Sequence, residues 1–277
     1  MSTVAAREAS PAPPGGGRRR WTRFILPTYV GIFIFYLMSP ILLMILYGFN
    51  KAPNARVTFK WQGFTTEWYR KLFDITDLTA ALKNSLEIAA ISALIATILG
   101  TLIALALVRY RYRGHGTTDM VLFMNIAAPE IVIGASLLSL FVTLKVTRGF
   151  GTLIAAHVMF NIAYVAITVR ARLTGFDRSL EEAAQDLGAN PWVTFYRVTL
   201  PIIFPGVLAG GLLAFALSID DFIISSFVNG KTLTFPLWVF GAVKVGTPPQ
   251  VFVMGTLIFM GGVILAITNL VLQRRKV

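Results

Sequence analysis

Cysteine is absent from the chain, which excludes disulfides, thiolate metal sites and cysteine nucleophiles. Histidine occurs only twice, too seldom to build the usual metal centres. Acidic residues are few, 13 against 25 basic ones, and charged residues of both signs make up 14% of the chain. Soluble domains carry roughly a quarter. What is there instead is apolar: 56% of residues are hydrophobic and the mean hydropathy is +0.70. Runs of about 20 apolar residues recur, the length that crosses a hydrocarbon core as a helix. A helix satisfies its own backbone amides, as lipid requires. The chain is therefore expected to be an all-α polytopic membrane protein. Its net charge of +12 does not point to nucleic acid, because lysine and arginine collect in the cytoplasmic loops of membrane proteins.

Residues 1–23 read as a disordered basic tail, with PAPPGGG giving way to Arg18, Arg19, Arg20 and Arg23. The membrane-embedded body occupies 24–277, with apolar runs at 24–49, 85–108, 120–144, 152–169, 201–228 and 251–272, hence six spans. Pro40 is expected to bend the first. Alternate connecting segments carry 15 and 10 basic residues, and the richer set includes both termini. Both termini are thus expected in the cytoplasm of a multi-pass inner or plasma membrane protein. In the long outer loop, Trp61, Phe64, Trp68 and Leu72 fall at helical spacing, which predicts an amphipathic helix on the membrane surface.

Between the fourth and fifth spans lies FDRSLEEAAQDLGANPWVTFYRVTLP, the segment at about 177–200. Ser179 and Glu182 have capping-box spacing. Gly188 offers a left-handed stop, and Asn190 with Pro191 predicts a second helix start. Two short cytoplasmic helices with a tight turn follow from this. Leu180, Ala183, Ala184 and Leu187 line one apolar stripe of the first.

The pattern Glu182-Ala183-Ala184, then Gly188, then Val198 and Leu200-Pro201 resembles the EAA motif of ABC-transporter permeases, with Val198 in place of the usual isoleucine. NSLEIA, PEIVIGASLL, LPIIFPGVLAGGLLAFALSIDDF and FGAVKVGTPPQV look like the spermidine/putrescine permeases, specifically the second of their two permease chains. The resemblance covers about residues 24–277. It implies a coupling helix built from Glu181, Glu182, Ala183, Ala184, Asp186, Leu187 and Gly188, seated in a groove of a separate ATPase subunit. It also implies two copies of that ATPase, a second similar permease and an extracytoplasmic polyamine-binding protein. ATP and Mg would be bound by the ATPase, leaving this chain without a cofactor. Gly230-Lys231-Thr232 resembles the end of a phosphate loop, but Ser225 stands where that pattern needs glycine, so no nucleotide site and no enzymatic activity is expected here.

Four acidic residues lie within or at the mouth of the apolar runs: Glu87, Glu130, Asp220 and Asp221. A carboxylate at the membrane centre costs about 2.5–3.5 kcal/mol, so such groups face a polar path or a partner. A flexible polycation needs carboxylates for its ammonium groups and aromatic faces for the rest. If the fifth span were one helix, Ser218, Asp221 and Ser225 would share a polar stripe. All four are candidates for lining the substrate path; on the stripe, Asp221 is the one assigned to face it and Asp220 is assigned to a neighbouring helix or the partner subunit. His157 and Asn161 are expected to tie helices together. Two alternatives stay open: the same importer class with another cargo, such as a metal chelate, another organic cation or an amino acid, and a receptor or channel without an ATPase.

Overall fold

The computed structural model describes residues 18–274 except residue 59. The tail assigned to 1–17 lies outside these residues. Residues 18–23, assigned to the same tail, instead open the first helix, α1 (Arg18–Gly48). The elements that follow are α2 (Glu67–Arg70), α3 (Thr76–Arg109), α4 (His115–Ala127), α5 (Glu130–Thr143) and α6 (Phe150–Leu173). Then come α7 (Ser179–Asp186), α8 (Pro191–Thr194), a π turn (Phe195–Thr199), α9 (Leu200–Ile219), α10 (Ile223–Val228), α11 (Phe235–Val245) and α12 (Gln250–Arg274).

Among the described residues, five helices are long and apolar enough to cross a membrane, and α4 with α5 makes a sixth crossing if that bent pair is one span. The centre is α3, α6 and α9, packed through small residues. Ala93, Ala96, Ala104, Val165, Val169, Ile203 and Ala214 form one buried cluster among them. Lipid offers helices no hydrophobic reason to associate, so close van der Waals approach has to supply it. Glycines make the approach possible: a Cβ on Gly100 would lie 2.8 Å from Val165, and one on Gly206 2.8 Å from Arg172. Gly100→Ala is expected to lower the thermal midpoint of the detergent-purified protein, an overpacking loss of about 1–3 kcal/mol. Val165→Ala in the same chain should recover part of the loss. An unchanged midpoint in the single variant would show that the helices simply move apart.

Three expectations need correction. The single third span over 120–144 is broken after Ala127, and its second half is bent by 108° from the first. Pro129 precedes α5, where its missing amide does no harm, and it disfavours a helical residue before it. The single fifth span over 201–228 also breaks, between Ile219 and Ile223. The surface helix of the outer loop shrinks to the four residues of α2. Trp61 and Phe64 remain exposed outside it, while Trp68 and Leu72 are buried with Leu78, Val253 and Met254. Asn50 organises this loop instead. Its Oδ1 accepts from Gln62 N at 2.7 Å, its Nδ2 donates to Lys60 O at 2.9 Å, and its carbonyl accepts from Trp68 Nε1 at 2.8 Å.

Candidate functional site

The two helix breaks lie against each other. α10 packs on α5 so closely that a Cβ on Gly134 would meet Phe227 at 2.5 Å. Glu130, the first residue of α5, and Asp220, at the end of α9, are both exposed and within electrostatic reach of one another; Tyr164 is within reach of Glu130. A helix N-terminus favours a carboxylate, which suits Glu130. Discontinuous helices in membrane proteins leave polar backbone ends unpaired at the break. Glu87 is exposed on α3, with Lys83 3.7 Å away one turn earlier. No recorded ion pair or hydrogen bond links Glu87 to either break among the described residues.

Asp221 has a different place from the one assigned to it. Because α9 stops at Ile219, the expected polar stripe does not run along a continuous helix. The Asp221 side chain is 6% exposed and faces inward. Its Oδ1 accepts from Ile224 N at 3.2 Å and its Oδ2 from Ser225 N at 2.7 Å, so it caps α10. His157 Nε2 lies 3.3 Å from the same carboxylate and 3.0 Å from Ser225 Oγ. His157 Nδ1 is 2.5 Å from Ser218 Oγ, which in turn meets Ser92 Oγ at 3.0 Å. One buried histidine thus joins α3, α6, α9 and α10, the helix-tying role expected of it. Asn161 does not share that role: it is fully buried, and neither polar atom of its side chain has a hydrogen-bond partner among the described residues. Asp221 is therefore bound inside this chain and not open as assigned, while Asp220 is exposed, as binding to a partner subunit would also require. An aspartate three and four residues before helical amides is a cap signal that was legible in the sequence.

A concavity of about 570 Å³ lies between the α5–α6 loop and the segment after α10, where Lys145, Arg148 and Lys231 contribute to its lining. Three cations there make it unsuited to a cationic ligand.

At the other end of the bundle, α7 and α8 project. Gly188 holds φ +88°, the left-handed stop its sequence position predicts. Asn190 Oδ1 accepts from Val193 N at 2.9 Å with Pro191 at the helix start, also as predicted. The capping box does not form. Asp177 Oδ1 takes Ser179 N at 2.9 Å instead, and that bond holds the Asp177 carboxyl below its ordinary pKa. Nor is the second helix a separate short one, since α8 runs through the π turn into α9 as a single 29-residue unit.

The acidic residues of α7 divide by direction. Glu182 and Asp186 are exposed, as are Ala183, Leu187 and Gly188, while Ala184 is half-buried. Leu187 is 90% exposed and Trp192 72%, a large apolar tip that none of the described residues covers. Glu181, expected among the residues that seat in the ATPase groove, instead turns its carboxylate inward. It accepts from Arg109 at the end of α3 and from the Thr199 hydroxyl in the π turn. Arg109 also donates to Thr199 Oγ1 at 3.1 Å. Arg178 reinforces the joint by donating to the carbonyls of Val108 and Arg109 at 3.2 and 3.3 Å. Sequence reading missed this joint, because residues 109, 181 and 199 are brought together only by the tertiary fold.

Comparison with known proteins agrees with this architecture. The chain is 40% identical over 242 residues to the spermidine/putrescine transport system permease protein PotC of Escherichia coli K12, covering 87% of this chain and 90% of that one. It is 42% identical over 231 residues to the putrescine transport system permease protein PotI of the same organism, covering 80% and 81%. Among solved structures, a bacterial ABC transporter involved in import of the acidic polysaccharide alginate shares the fold with a TM-score of 0.67 at 18% identity, over 95% of this chain and 99% of that one. The MetNI methionine ABC transporter, in an inward-facing form, gives 0.58 at 15% identity, over 72% and 95%. Residues 96–276 match the family described as the inner membrane component of binding-protein-dependent transport systems, and the chain, a multi-pass inner-membrane protein, belongs to that family.

Proposed function

We propose that this chain is the second permease subunit of an ATP-driven importer that moves polyamines, spermidine or putrescine, inward across the membrane. The observation that carries the reading is the facing pair of helix breaks with Glu130 and Asp220 open at them, in a chain about 40% identical to two polyamine permeases. Exposed carboxylates suit ammonium groups and would repel an anionic cargo. The partners are a similar permease, two copies of an ATPase that bind ATP and Mg, and an extracytoplasmic binding protein. This chain itself supplies no nucleotide site. Both termini face the cytoplasm, which puts α7 on the ATPase side. There the apolar tip of Leu187 and Trp192, rimmed by Glu182 and Asp186, fits a groove with a basic edge. Closure of the ATPase dimer pushes α7, and the bundle switches between inward and outward forms.

The test is uptake by the complete transporter in proteoliposomes, with binding protein outside and ATP within. Labelled putrescine or spermidine is expected to accumulate only when ATP and binding protein are both present. Accumulation of a metal chelate or amino acid in their place would replace the cargo. Failure of any ATPase to co-purify with the chain would replace the class by a receptor or channel.

A further inference from the structure

Lys244 holds an ammonium group where a cation of the cargo's chemistry belongs. It lies one helical turn after Phe240 on α11, so the spacing of four places its side chain over that residue. Its Nζ is 4.6 Å from the centroid of the Phe240 ring. Phe240 is paired in turn with Phe222, ring centroids 4.7 Å apart at 45°. Phe222 follows directly on Asp220 and Asp221, so the aromatic pair borders the break that carries the open carboxylate. The position of α11 is fixed from α3: Ser85 Oγ accepts from Phe235 N at 2.8 Å, and Asn84 Nδ2 donates to Leu233 O at 2.9 Å. No carboxylate pairs with Lys244 among the described residues.

We propose that Phe222 and Phe240 form a seat for a primary ammonium group, and that Lys244 fills it when no cargo is present. The inference rests on the cationic cargo proposed above. A lysine side chain is four methylenes ending in an ammonium, the same chemistry as one end of an aliphatic diamine. Phe240 is 50% exposed and Lys244 is exposed as well, so an incoming ammonium can displace the resident one without disturbing the core. The exchange costs little, because one cation–π contact is given up as another forms. A resident competitor lowers the apparent affinity by the fraction of time that it occupies the seat. For an exposed cation–π contact that factor is about two- to fivefold.

The test is equilibrium binding of labelled putrescine to the purified complex of both permeases and the ATPase in nanodiscs. The binding protein is left out so that its own affinity does not mask the permease site. Lys244→Met keeps the stem and removes the charge, and is expected to lower Kd about two- to fivefold. Phe240→Leu should raise Kd by a similar factor, and adding Lys244→Met to it should then change nothing. Size-exclusion chromatography confirms that each variant assembles. An unchanged or raised Kd for Lys244→Met overturns the seat, as does an equal gain from that change with or without Phe240. Uptake by the wild-type transporter is measured alongside. If it carries putrescine while Lys244→Met leaves Kd unaltered, the seat alone falls. If it carries no polyamine at all, the cargo reading falls and takes the seat with it.

Discussion

Glu181→Gln is expected to leave the assembled transporter hydrolysing ATP while its polyamine uptake drops about tenfold. The reason is the joint at the base of α7. Glu181 receives Arg109 from the end of α3 and the Thr199 hydroxyl from the π turn that leads into α9. Those two helices, with α6, form the packed centre of the bundle. In the coupling proposed above, force delivered to the exposed tip at Leu187 reaches them through this carboxylate as well as through the chain. The pair is mostly shielded, with side-chain exposures of 23% for Arg109 and 14% for Glu181. It is therefore worth more than a surface pair of about 0–1 kcal/mol and less than a fully buried one, whose breakage costs about 3–5 kcal/mol. A loss near 1.4 kcal/mol in the coupled state is a factor of about ten. Glutamine keeps the size and an acceptor oxygen, so α7 still forms and the ATPase still docks. Arg109→Met should have the same effect, and exchanging the two charges should restore part of the uptake. The measurement is uptake and ATP hydrolysis in the same proteoliposomes. Equal falls in both, or no change in either, would show that the joint holds the fold without carrying force.

How much of this was legible in the sequence depended on how local the cause was. The apolar runs declared α1, α3, α6 and α12, since length and composition suffice for a span. Gly188 and Asn190 marked the turn between α7 and α8, because a left-handed residue and a helix cap are decided within four residues. Where two local signals competed, the sequence did not choose: Asp177 took the Ser179 amide that a capping box would leave to the Glu182 side chain. The helical spacing of Trp61, Phe64, Trp68 and Leu72 misled for another reason. Asn50, eighteen residues before Trp68, draws that indole into the core through a hydrogen bond no periodicity reports. The two breaks were hidden for a third. A hydropathy run averages over a bend, so α4–α5 and α9–α10 each looked like one helix. That error carried the facing of Asp221 with it, since a stripe assigned on a continuous helix loses its meaning when the helix stops.

The same break sets the largest loss expected of any single substitution in the site. Asp221→Ala should deplete the protein from the membrane and prevent assembly with its partners. The change removes the acceptor for two amides, Ile224 N and Ser225 N, and strips His157 of the carboxylate 3.3 Å from its Nε2. His157 is 2% exposed and Ser225 fully buried, so water does not readily replace what is lost. Each buried amide left without an acceptor costs about 1–3 kcal/mol, and two of them are a large part of the roughly 5–15 kcal/mol that holds a typical domain together. Asp221→Asn keeps an oxygen to cap α10 and should fall between alanine and wild type. Asp220→Asn should behave in the opposite way: it leaves these bonds intact, so the complex assembles in normal amount while polyamine uptake falls about tenfold, as loss of an open carboxylate beside Glu130 predicts. Immunoblots of the membrane fraction, size-exclusion profiles and uptake rates separate the two aspartates. If Asp221→Ala assembles normally and only transport fails, Asp221 meets the cargo after all, and the inward placement of its side chain does not hold in the working complex.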